Sequence, residues 1–70
     1  MDDIEHAVVH ALVIAEVDDD KTLYLGPDRA SNLLEVVAVT RAELPPLVIH
    51  AMPMRRQYGP YLRGQEDDDG

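Results

Sequence analysis

Leu33-Leu34-Glu35-Val36-Val37-Ala38-Val39-Thr40 decides the fold. The run is rich in valine and apolar at odd and even positions alike, which describes a strand buried on both faces and therefore central in its sheet. Upstream, Gly26-Pro27-Asp28-Arg29-Ala30-Ser31-Asn32 collects turn formers and reads as a loop, preceded by a short strand over Thr22 to Leu25. Downstream, Arg41 to Pro46 is a connection ending in two prolines, and Leu47 to Met52 is a third strand. Pro53 has no N–H for a ladder and should end it.

Further out, Asp2 to Glu16 reads as a helix. Ile4, Ala7, Val8, Ala11, Leu12 and Ala15 recur at helical spacing and form one apolar stripe. Asp2 or Asp3 can cap the first turn. Val9, Val13 and Ile14 widen the apolar surface, so the helix is expected to be covered on two sides, the second cover being another chain. Val17 to Lys21 is a polar break, and Arg55 to Arg63 is expected to make one helical turn before Gly59-Pro60 interrupts it. The expected fold is α+β: an N-terminal helix packed on a three-stranded antiparallel sheet, with a short C-terminal helical turn. It forms a single domain over residues 1–63, with an acidic disordered tail over 64–70.

Strand alternation assigns Leu23, Leu25, Leu34, Val36, Ala38, Leu47, Ile49 and Ala51 to the face under the helix. Tyr24, Glu35, Val37, Val48, His50 and Met52 then share the opposite face. A slip of one residue in any strand would exchange its two sets.

Seventy residues without cysteine leave disulfides out, and a core this small barely offsets the entropy of folding. Oligomerisation or docking to another chain is the expected way to add burial. No apolar run approaches the roughly 20 residues that span a bilayer. The acidic start is the reverse of a secretion signal's basic region, so a cytoplasmic location is expected. The net charge is −8, from 14 acidic and 6 basic residues, which argues against free nucleic-acid binding. The distribution tempers that argument: no acid lies between Leu44 and Gln65, the stretch that holds Arg55, Arg56 and Arg63.

Several side chains carry chemistry. His50 stands in an apolar strand, either as a structural histidine or as an acid or base near neutral pH. Arg55 and Arg56 follow it and can hold a phosphate. Tyr58 and Tyr61 either stack on a single-stranded base or anchor the C-terminal segment to the sheet, and anchoring is favoured. His6 and His10 lie four apart on the helix, but no glutamate completes a hydrolase motif there and no third metal ligand is evident. Gly26-Pro27-Asp28 lacks the second glycine and the lysine of a phosphate-binding loop. No metal or cofactor is expected.

Three stretches carry a family resemblance: the helix with His10-Ala11, the Gly26-to-Asn32 turn running into Leu33-Leu34-Glu35-Val36-Val37, and Val48-Ile49-His50-Ala51-Met52-Pro53-Met54-Arg55. Over about residues 4 to 63 the chain resembles small actinobacterial toxin-like proteins, similar to the BrnT group of RelE-type ribonuclease toxins. The resemblance implies the toxin of a type II toxin–antitoxin pair, a metal-independent endoribonuclease that arrests translation and is neutralised by a cognate antitoxin. In that chemistry an RNA 2′-hydroxyl attacks the adjacent phosphate. Carried onto this chain, His50 or Glu35 would be the base, Arg55 and Arg56 would hold the phosphate, and Tyr24 or Tyr58 would orient the nucleotide, with Arg63 as a further RNA contact. The alternative is a non-catalytic interaction domain, a degenerate toxin or small homo-oligomer, in keeping with the acidic charge and the wide apolar helix surface.

Overall fold

The computed structural model describes residues 2–66. Helix α1 (Asp3–Val9) leads into four strands, β1 (Val13–Asp18), β2 (Lys21–Pro27), β3 (Leu33–Arg41) and β4 (Leu44–Pro53). A 3-10 turn (Arg56–Tyr58) and helix α2 (Gly59–Glu66) follow. The strands form one antiparallel sheet in the order β1-β2-β3-β4, so each hairpin neighbour is also a spatial neighbour. Among the described residues no helix is long and apolar enough to cross a membrane.

The α+β class stands, with two corrections. The first is that the expected helix over Asp2 to Glu16 is a helix only to Val9, and its second half is a fourth strand. The run Val8-Val9…Leu12-Val13-Ile14 satisfies a helical and an alternating pattern equally well, and periodicity cannot separate them. Long-range pairing does. The Leu12 N–H donates to the Leu25 carbonyl at 2.7 Å, and Val13, Ile14 and Ala15 pair with Leu25, Tyr24 and Leu23. The β-branched Val13, Ile14 and Val17 suit that pleated surface better than a helix. Asp19 and Asp20 make the hairpin between β1 and β2, with the Asp19 N–H donating to the Asp18 carboxylate.

The remaining helix is built as its first turn promised. Asp2 and Glu5 form a reciprocal capping box, the Glu5 N–H donating to Asp2 at 2.7 Å and the Asp2 N–H to Glu5 at 3.2 Å. The His6 Nδ1–H donates to the Pro27 carbonyl at 2.8 Å and ties α1 to the end of β2. Gly26 makes this close approach possible, since a Cβ there would stand 2.1 Å from the Ala7 carbonyl oxygen.

The second correction concerns faces. Tyr24 pairs with Val36 and that residue with Ala51, on the side of the sheet under α1. Leu23 and Leu25 therefore point the other way, a one-residue exchange in β2. There, with Val13, they form a core against which Ala15, Val37, Met54, Tyr58 and Leu62 pack. The C-terminal segment thus covers the face expected to be open. In β4, Val37 pairs with His50 but Ala38 with Val48, so Ile49 is an inserted bulge residue. The bulge sends His50 to the α2 side and Val48 to the α1 side, reversing the expected positions of Leu47 and Val48.

Pro45 and Pro46 lie inside β4 rather than in a loop. The register slips there, between the Val39–Leu47 and Arg41–Leu44 pairs, so neither proline is paired with β3 and neither missing N–H costs a ladder bond. Pro53 ends the strand as expected. Gly59-Pro60 opens α2 rather than interrupting a helix, because proline's missing N–H costs nothing in a first turn. Residues 64–66 continue α2, and the rest of the expected disordered tail lies outside the described residues.

Candidate functional site: a buried glutamate joining an imidazole and a guanidinium

Glu35 is the third residue of β3, paired with Leu25 on one side and Met52 on the other. Its carboxylate is 0% exposed, yet both oxygens are engaged. Oε1 accepts from the Arg55 backbone N–H at 2.8 Å and from Arg55 Nε at 3.2 Å. Oε2 accepts from Arg55 Nη2 and from His50 Nε2, each at 2.8 Å. Burial alone would push this carboxyl up, but the side-chain and backbone hydrogen bonds from Arg55 and the bond from His50 outweigh it and hold the pKa at about 2. The Arg55 guanidinium is in turn held above its usual value, chiefly by its hydrogen bonds to Glu35.

The local sequence explains why the three meet. His50 pairs with Val37, two residues along the same face of β3 from Glu35. After Pro53, the Met54 N–H donates to the Leu33 carbonyl at 2.9 Å, keeping the chain against β3 for one more residue. That places the Arg55 N–H over the glutamate before the 3-10 turn begins. The Arg55 guanidinium carbon lies 5.7 Å from the centre of the Tyr58 ring, and Tyr61 meets Tyr58 edge to face at 5.8 Å.

The cluster has an inner and an outer half. Glu35 is sealed from solvent, whereas the His50 side chain is 35% exposed and that of Arg55 is 46% exposed. An anionic Glu35 accepts from His50 Nε2–H, which fixes that tautomer and leaves Nδ1 with its lone pair in the neutral ring. Arg55 spends Nε and Nη2 on Glu35 and keeps further N–H groups for an anion. The arrangement therefore presents one proton acceptor and one cation side by side, oriented by a common carboxylate.

Glu35 and His50, expected on one face of the sheet with Arg55 just beyond the strand end, do share that face, and the Glu35 carboxylate bonds both His50 and Arg55, with Tyr58 beside Arg55. Tyr24 is not part of the group: it lies across the sheet and lines a groove with Ile4, Val8 and Val48. Arg56 is exposed at the start of the 3-10 turn. Arg63 belongs to α2, and its side chain lies outside the described residues. Tyr61, expected with Tyr58 either to stack on a base or to anchor the C-terminal segment, is exposed next to Tyr58. His6 and His10 stack at 4.3 Å, and no group of three potential metal-ligating side chains occurs among the described residues.

Compared with protein families, with curated proteins and with solved structures, the chain finds no match.

Proposed function

We propose that this chain is a toxin-like endoribonuclease, arresting translation by RNA cleavage and silenced by a cognate antitoxin. The observation that carries the proposal is the Glu35–His50–Arg55 cluster, with its buried carboxylate and its half-exposed imidazole and guanidinium. Cleavage of this kind needs a base at the 2′-hydroxyl and positive charge at the phosphate. His50 Nδ1 takes the proton of the 2′-hydroxyl. The 2′-oxygen forms a bond to phosphorus and the bond to the 5′-oxygen breaks. That oxygen takes a proton from solvent, leaving a 2′,3′-cyclic phosphate and a 5′-hydroxyl. Arg55 holds the phosphate as its charge builds, with Arg56 nearby in sequence. Tyr58 orients the nucleotide from beneath Arg55. Glu35 is a positioning residue and not the base, because its carboxylate has no exposed surface and both oxygens are engaged.

The net charge of −8 favours a second reading, a non-catalytic interaction domain on the same scaffold. One experiment separates the two. The chain is induced in a bacterium that lacks the partner gene, and growth and total RNA are followed together. Growth arrest with RNA loss is expected, and it should disappear in His50→Ala and Arg55→Ala variants that circular dichroism shows to be folded. Normal growth with abundant folded wild-type protein would favour the interaction domain.

A further inference from the structure

Among the described residues no element covers the β4 edge of the sheet. Leu44 is 58% exposed and Ile49 is 49% exposed, with Leu47 and Val48 exposed between them. Behind this row, between α1 and β4, lies an apolar groove of about 310 Å³ lined by Ile4, Val8, Val9, Tyr24, Pro46 and Val48. An exposed apolar edge strand is a template for a further strand. Pro45, Pro46 and Pro53 restrict that template to Leu47–Met52, because each lacks an N–H to offer.

We propose that β4 is the surface through which two copies of this chain associate, edge to edge about a twofold axis, independently of the function proposed above. Three observations select a second copy as the occupant. The first is charge. The chain is strongly acidic, yet β4 holds no Asp, Glu, Lys or Arg, and its one titratable side chain, His50, turns to Glu35 on the sheet face away from α1, so two β4 strands meet without like charges. The Asp18–Asp20 cluster lies at the end of β1, the opposite edge of the sheet, and stays at the outside of such a pair. Glu5 of α1 is the one charged side chain lining the groove, and the strand edge itself offers a cationic partner no carboxylate. The second is shape. A twofold interface needs a patch that complements itself, and this patch carries both projecting side chains (Leu44, Ile49) and a recess beside them. The third is the thin core. Among the described residues only Ala7, Val13, Leu23, Leu25, Val36 and Ala38 are buried apolar side chains, and the chain has no cysteine to staple it.

The test is sedimentation velocity on the full chain from micromolar to millimolar concentration, with hydrogen exchange at both ends of that range. The wild type is expected to sediment at twice the 7.8 kDa chain mass at high concentration and to dissociate on dilution. Backbone amides within Leu47–Met52 should gain protection only in the concentrated sample. Ile49→Lys should be monomeric throughout, while Ile14→Lys, at the β1 edge, should still dimerise. A wild type that stays monomeric over the whole range overturns the proposal. So does a dimer whose β4 amides exchange at the monomer rate, a readout that does not depend on any variant folding.

Discussion

Glu35 is a carboxylate shut away from water that stays ionised because Arg55 and His50 stay with it. That fixes a sign for the acid response. The folded pKa, about 2, lies below the unbonded value of 4.5. The stability contributed by this group is therefore complete above about 4.5 and is lost as the pH falls toward about 2. Denaturant unfolding at successive pH values across that window should show the loss, and Glu35→Gln should remove Glu35's share of it. The same substitution should lower stability at neutral pH by about 2 kcal/mol, less than for a fully buried ion pair, because Arg55 reaches solvent and can rehydrate. It should also change the pH profile of any RNA cleavage, since the tautomer of His50 is no longer fixed by an anion.

At the scale of elements, α1 is short and depends on its ends and on one close approach. Asp2→Ala removes the acceptor of the capping box and should cost about 1 kcal/mol, read from thermal unfolding. Gly26→Ala should do more. The added methyl would meet Ala7 O at 2.1 Å and Ala11 Cα at 2.9 Å, and both are backbone atoms that cannot swing aside. A loss above about 2 kcal/mol is expected, with hydrogen exchange rising first in α1 and at His6, whose bond to Pro27 is then out of reach. The loop from Asp28 to Asn32 is held differently: Asp28 Oδ1 accepts from the Ala30 and Asn32 N–H groups, and Arg29 bonds Asp3 on α1. The Asp3 carboxyl is accordingly held below its usual range, first by its hydrogen bond from the Arg29 side chain. That exposed pair orders the loop and adds little stability.

For the molecule as a whole, the core lies on two sides of one sheet. Val36 and Ala38 are on the α1 side; Leu23, Leu25 and Val13 are under the C-terminal segment. Neither layer is thick. Leu25→Ala should cost about 2–5 kcal/mol, which matches the whole stability a single core of this size supplies, so the variant should be largely unfolded at low concentration. If the β4 pairing forms, raising the protein concentration should restore part of that loss, and the wild-type melting temperature should rise with concentration.

The sequence alone determined the parts whose pattern has a single interpretation. The valine-rich run over Leu33 to Thr40 could only be a central strand. The turn formers over Asp28 to Asn32 could only be a connection, although Gly26 and Pro27, expected in the same loop, close β2 and pair with Leu34 and Leu33. Glu35, His50 and Arg55 were legible as candidates because a carboxylate, an imidazole and a guanidinium are conspicuous among apolar residues. Only the tertiary structure decided whether residues Leu12 to Val17 were helix or strand. A continuous apolar run fits both periods until a partner strand supplies hydrogen bonds, and here Tyr24 and its neighbours supply them. The same holds for the faces. A period of two turns one slip in β2, or one bulge at Ile49, into a complete exchange, and that exchange separates Tyr24 from the site. The bonds joining the three site residues were likewise beyond sequence, because they depend on strand register and on Met54 continuing along β3 past the last strand.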